Sequence, residues 1–181
     1  MDTYKLKLTK LQMEIFRLLC VKTGEKMNQR QIARFLEVSP TAVAKSLPNL
    51  EKEGIITVEK SREMNLTAIS LNRENPRTIQ LKRAENLKML YETGFPEFIE
   101  EKCAGSTIIL FGSYSKGEDT IKSDVDIAVI GLKEKQIDLR KFEKMLEKDI
   151  RINYYTSLKD INKELKENIF KGIVLAGSIE L

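Results

Sequence analysis

Two aspartates, Asp124 and Asp126, stand at positions i and i+2 at the head of an apolar run, Val125 to Ile130. In a β-strand that spacing puts both side chains on one face, a few ångströms apart. Like charges so placed repel, and no His, Lys or Arg inside the run neutralises either one. A divalent cation would neutralise both. Upstream, a second apolar run, Ile108 to Phe111, stops abruptly at Gly112-Ser113, and ten residues separate Ser113 from Asp124. Glycine lets a backbone approach an anion closely, and serine offers a hydroxyl and an amide. Tyr114-Ser115-Lys116 is placed to open a helix whose N-terminus attracts phosphate, and Lys116 adds a mobile positive charge. Either half of the pattern is common at turns and strand ends. Joined and framed by buried strands, the two halves describe a site for a phosphate and its metal ion.

The 181 residues include no His, which excludes Ser-His-Asp and Cys-His triads and histidine-bound zinc. Any catalyst here uses carboxylates, hydroxyls, lysines or a metal. Two cysteines, Cys20 and Cys103, are too few for a four-thiolate site and are read as buried and reduced. The composition, 41% hydrophobic and 32% charged, supports a folded chain rather than a disordered one. The apolar runs fall far short of the roughly 20 residues of a membrane helix, and no leader precedes Thr9, so the cytoplasm is the expected compartment and no membrane partner is expected.

Residues 108–130, IILFGSYSKGEDTIKSDVDIAVI, resemble the signature of the DNA polymerase β nucleotidyltransferase superfamily, most closely its minimal branch. The resemblance implies a small mixed sheet flanked by helices, with Gly112 and Ser113 holding a nucleoside triphosphate, ATP or another NTP. It also implies that Asp124 and Asp126 bind Mg²⁺ and that two ions align the attacking hydroxyl and stabilise the leaving pyrophosphate. The superfamily carries a third carboxylate on a later strand. The candidate strand is 149–156, DIRINYYT, followed by a helix over 161–169, and the matching position holds Asn153. An amide brings no negative charge to a metal and cannot act as a base near neutral pH. Asp149 faces the same way but stands four residues, about 13 Å, from Asn153 along a strand. Arg151 is a candidate electrostatic substitute for a second ion.

Charge divides the chain. Residues 1–83 carry 16 Lys and Arg against 9 Asp and Glu, and residues 84–181 carry 15 against 18. A basic half beside an acidic half suits one lobe that meets a polyanion; two solvated surfaces that merely differ give the same count. The first lobe reads as helix, helix, helix, hairpin. Thr9 caps a helix over 10–22 closed by Gly24, a second covers 28–36, and a third runs from Pro40 toward Lys52 and ends at Gly54. Residues 55–59 and 66–71 are β-prone around the polar Lys60-Ser61-Arg62-Glu63. This order, with SPTAVAKSLPNLEKEGII, is similar to the winged helix-turn-helix of bacterial and archaeal transcription regulators. The resemblance places Thr41, Lys45, Ser46 and Asn49 on the groove-facing side of a recognition helix and Lys60 and Arg62 on a wing that reaches phosphates. Winged helices that serve protein contacts give the same pattern. Pro48, deep in the third helix, removes a hydrogen bond to Ala44 at a cost of about 3 kcal/mol or bends the helix.

The expected class is therefore α+β, with a winged helix-turn-helix over 1–74, a helical connector over 75–103 and a nucleotidyltransferase-like domain over 104–181. Leu87, Leu90 and Tyr91 form an apolar face on the connector that serves either a homodimer or packing within its own lobe. Two functions follow from the resemblances. One is a Mg²⁺-dependent transfer of a nucleoside monophosphate, AMP in the first place, to a hydroxyl of a small molecule or of a protein such as a partner toxin, by an enzyme that also binds DNA. The other is a DNA-binding regulator whose second domain binds nucleotide while Asn153 impairs transfer.

Overall fold

The computed structural model describes residues 7–60 and 67–179. The chain divides into two compact units, Met1–Thr78 and Ile79–Leu181.

The first unit is built on capped helices. α1 (Lys10–Val21) begins at Thr9, whose side chain accepts from the Gln12 amide while Gln12 Oε1 accepts from the Thr9 amide. α2 (Gln29–Phe35) repeats the arrangement with Asn28 and Gln31, and α3 (Pro40–Lys52) starts on Ser39 with proline at its first position. Ile15, Leu19, Ile32, Val43 and Leu50 are buried, as their helical spacing demands. α3 continues through Pro48; Val43 and Leu47 before it and Leu50 after it are all buried, which offsets the missing hydrogen bond. Gly54 takes φ +70°, and its carbonyl accepts from Asn72, Asn75 and Thr78 side chains at 2.9, 3.0 and 3.1 Å. β1 (Ile56–Lys60) and β2 (Thr67–Leu71) then pair antiparallel with Ile56 opposite Leu71. Met27 adds a bridge to Ile69, a third short strand position that the sequence did not announce.

The second unit carries a four-stranded sheet in the order β5-β4-β3-β6. β3 (Thr107–Phe111) runs antiparallel to β4 (Val125–Ile130) and to β6 (Ile173–Ala176), while β4 runs parallel to β5 (Ile150–Tyr155). The sheet is mixed, as the resemblance implies. Both apolar runs are buried strands: every residue of β3 after Thr107 and every residue of β4 except Asp126 is inaccessible. Ile109, Phe111, Ala128 and Ile130 share one core cluster with Ile161 and Ile169. Helices α4 (Pro76–Glu92), α5 (Phe95–Lys102), α6 (Gly112–Lys116), α7 (Arg140–Leu146) and α8 (Lys163–Phe170) complete the chain. α8 starts two residues later than expected because Asn162 caps it onto the Leu165 amide at 2.9 Å, which leaves Ile161 for the core.

The stretch 75–103 holds two helices rather than one, with Gly94 at φ +73° between them. Almost all of it lies in the second unit, because side chains of α4 are bonded to the loop after β3. Leu90 is fully buried within the chain itself, while Tyr91 stays 45% exposed. Among the described residues no helix is long and apolar enough to cross a membrane. Cys20 and Cys103 are buried and not joined in a disulfide.

Candidate functional site

The two halves of the sequence pattern meet at the edge where β3 ends and β4 begins. Gly112 leaves β3 at φ +76°, and a Cβ built there would overlap the Asp126 carboxylate. Only glycine lets the loop backbone and this carboxylate approach so closely. In the register Asp126 stands opposite Phe111 on one side and Arg151 on the other. Neighbouring strands lie about 4.8 Å apart, so Phe111, Asp126 and Arg151 form a short row across three strands, with Gly112 following Phe111 at its end. Burial and the adjacent Asp124 hold the Asp126 carboxyl above the usual carboxylate range, with Arg151 pulling the other way. Asp124, just before β4, is bound by Arg151, whose Nε lies 2.9 Å from Asp124 Oδ2. No cation inside β4 neutralises either aspartate, as expected, and the arginine comes from its parallel neighbour β5.

Asn153 stands opposite Ala128, two residues along β5 from Arg151 and so on the same face as Asp126. Its Nδ2 donates to the Ile127 carbonyl at 3.5 Å. Asp149 is exposed just before β5 and does not replace it. Among the described residues no group of three or more Asp, Glu, His or Cys side chains converges on a metal position. The carboxylates of Asp124 and Asp126 are the donor type Mg²⁺ takes, and they fit one ion; a second ion would have to share them without a third carboxylate and against Arg151.

The loop between the halves is held from below by α4. Gly117 takes φ +75°, and a Cβ there would lie 2.5 Å from the Ile79 carbonyl oxygen and 2.7 Å from the Arg83 nitrogen. Asn86 Nδ2 donates to the Tyr114 carbonyl at 3.0 Å and to Asp119 Oδ1 at 2.7 Å, and the buried Tyr114 hydroxyl donates to the Asn86 carbonyl at 3.0 Å. Lys82 Nζ lies 2.5 Å from Asp119 Oδ1, both side chains being fully buried. Lys148 Nζ lies 3.2 Å from Asp119 Oδ2 and donates to the Thr120 carbonyl at 2.6 Å. This network fixes residues 117–124 and hence the approach of Asp124 to the site. Nothing in the spacing of Lys82, Asn86, Asp119 and Lys148 foretold it; an aspartate inside a loop otherwise resembles a solvated charge. Ser113 is half-buried, and Ser115 Oγ donates to the Gly112 carbonyl at 2.8 Å. Lys116, expected as a mobile charge, is half-buried and donates to Asn168 Oδ1 at 3.0 Å, so α8 holds it.

A cavity of about 960 Å³ lies elsewhere, lined by Ser106, Thr107, Ile130, Gly131, Phe170 and Gly177 among others. These residues mark the start of β3 and the end of β4, about 17 Å of strand away from the aspartates. It is a separate space from the carboxylate site.

In the first unit, Thr41 and Lys45 are exposed on α3, and with Pro48 and Lys52 they form one exposed stripe. Ser46 does not belong to it. It is buried, its Oγ donates to the Ala42 carbonyl at 3.0 Å, and its own carbonyl accepts from Gln12 Nε2 at 3.3 Å, so it faces α1. Asn49 is half-buried, and its Nδ2 donates to Gln12 Oε1 at 3.3 Å. Helical geometry explains the difference, since residues 46 and 49 fall on the stripe of the buried Val43 and Leu50. The Lys60 side chain and Arg62 lie outside the described residues.

Residues 97–179 match the family model described as polymerase beta, nucleotidyltransferase, and residues 8–63 match that of the MarR family. Each match covers less than half of the chain: the first part is similar to winged helices of the MarR family and the second to nucleotidyltransferases of the polymerase β kind. Among solved structures the chain is similar to ZitR of Lactococcus lactis in complex with DNA, at 20% identity over 56% of this chain and 66% of that one, with a TM-score of 0.42. It is also similar to the adhesin competence repressor AdcR of Streptococcus pyogenes, at 18% identity over 57% and 72% of the two chains, with a TM-score of 0.43. The chain thus spans just under two thirds of ZitR's length. No curated protein matches.

Proposed function

We propose that this chain is a DNA-binding regulator whose second domain binds a nucleoside triphosphate, ATP or another NTP, and in which Asn153 impairs transfer of the nucleotide. The observation that carries the nucleotide reading is the close approach of Gly112 to the Asp126 carboxylate, which joins a backbone suited to phosphate with a carboxylate suited to Mg²⁺. The polymerase β match over 97–179 supports it. In the first domain the MarR match and the exposed stripe of Thr41, Lys45 and Lys52 support DNA as partner. Lys60 and Arg62 stay within that proposal as further contacts, Asn49, turned to Gln12 of α1, is left out of it, and a homodimer completes it, since a helix that reads paired half-sites needs two copies. Asn153 on the face of Asp126, with Arg151 against Asp124, argues for binding over turnover.

The intact Gly112, Ser113, Asp124 and Asp126 favour a second reading, transfer of AMP to a hydroxyl acceptor such as a partner toxin protein. Labelled ATP with Mg²⁺ and a lysate of the source cells separates the two. Label on a protein with the native chain but not with Asp126→Ala establishes the transferase. Label only with Asn153→Asp establishes a nucleotide-binding regulator one substitution from catalysis. For the first reading, calorimetry in Mg²⁺ is expected to show ATP affinity falling by several-fold, up to about tenfold, in Asp126→Ala; unchanged affinity removes the site.

A further inference from the structure

A site with three carboxylates and no arginine suits two divalent cations and a triphosphate. Here the cluster is two carboxylates, an amide and a guanidinium: Asp124, Asp126, Asn153 and Arg151. Asn153 brings no charge and Arg151 a positive one, on the same face of the same strand. The guanidinium is engaged in one direction only. Its Nε lies 2.9 Å from Asp124 Oδ2, and among the described residues Asp124 is the one carboxylate in ion-pair contact with it. A guanidinium has five N–H donors in a planar fork, and a bond through Nε leaves the terminal groups for another acceptor. The Arg151 side chain is 69% exposed while Asp124 is 22% exposed, so the carboxylate is the fixed end and the terminal nitrogens lie toward solvent. Arg151 also stands opposite Asp126, with Gly112 against the far side of that carboxylate, about two strand spacings or 10 Å away, a gap that a long exposed arginine and a bound phosphate together can span.

We infer that Arg151 takes the place of one of the two metal ions, with Asp124 orienting its guanidinium through Nε and the terminal N–H groups gripping a phosphate of the nucleotide. Nucleotide binding then persists when divalent cations are removed. This rests on the reading of the Gly112–Asp126 site as a nucleotide site. The arginine supplies charge and directed hydrogen bonds but no Lewis acid for an attacking hydroxyl, which suits a domain that senses nucleotide.

Calorimetry with ATP on the full chain, in EDTA and in Mg²⁺, tests the assignment. The native chain binds ATP in EDTA within about tenfold of its affinity in Mg²⁺, and Arg151→Gln loses about tenfold or more in EDTA, the worth of a charged hydrogen bond. Arg151→Lys keeps the charge without the Nε anchor and falls between the two. Because Arg151 is exposed, circular dichroism of both variants is expected to match the native chain. Binding by the native chain in Mg²⁺ only, or equal binding by native and Arg151→Gln in EDTA, overturns the role of Arg151 while leaving the nucleotide site standing. No binding in either buffer overturns the nucleotide reading and this inference with it.

Discussion

Replacing Asp119 by asparagine removes the negative charge that lies between two buried lysines. Lys82 and Asp119 are both fully inaccessible at 2.5 Å, and Lys148, whose side chain is 3% exposed, lies 3.2 Å from the other carboxylate oxygen. An asparagine preserves size and some hydrogen bonding but leaves two ammonium groups facing a neutral amide in a low-dielectric interior. Removing one partner of a buried ion pair costs about 3–5 kcal/mol. A unit of this size has about 5–15 kcal/mol of total stability, so the loss is a large share of it. At about 4–8 °C per kcal/mol for a domain near 100 residues, the melting transition of the second unit falls by at least about 12 °C. Differential scanning calorimetry of the full chain reads this directly, and amide exchange in β3 and β4 assigns the shifted transition to the second unit. Nucleotide affinity drops in parallel, because residues 117–124 lose the anchor that sets Asp124. A shift of only a few degrees refutes the argument: Lys82 and Lys148 would then be finding other compensation, and the network would not be what holds the loop.

Gly112→Ala is expected to lower ATP affinity by about tenfold or more and to destabilise the second unit by about 1–3 kcal/mol, from a non-glycine residue at φ +76° and overlap with Asp126, both measured on the same calorimeter. Asp126→Asn is expected to raise the melting temperature of the metal-free second unit at pH 7. Its carboxyl titrates higher in the fold than in the unfolded chain, so ionisation above about pH 4 weakens the native state, and the gain vanishes below that pH. Lys45→Ala is expected to reduce the slope of log DNA affinity against log salt by about 0.9, whereas Ser46→Ala, being buried against α1, leaves the slope unchanged.

The local instructions are plainly written in the chain. Thr9, Asn28 and Ser39 cap the first three helices where their residue types and the following apolar periods require, and two unbroken apolar runs become the central strands of the second unit. Glycine followed by serine, ten residues and two spaced aspartates is enough to expect Gly112 beside Asp126, because backbone freedom and period-two strand geometry are properties of short segments. The resemblance places Ser46 on the groove side, although its helical period already puts it on the stripe of Val43 and Leu50; that its neighbour there is Gln12 of α1 is what only the packing shows. Pairings between segments distant in the chain depend on how strands and helices register, and residue spacing does not carry that register. Thus Arg151 reached Asp124 only through the parallel pairing of β4 with β5, and Lys82 met Asp119 across 37 positions of chain only once α4 lay under the loop. Short-range sterics and hydrophobic period fixed the elements; long-range electrostatics, which act only after those elements have packed, set the charge at the site.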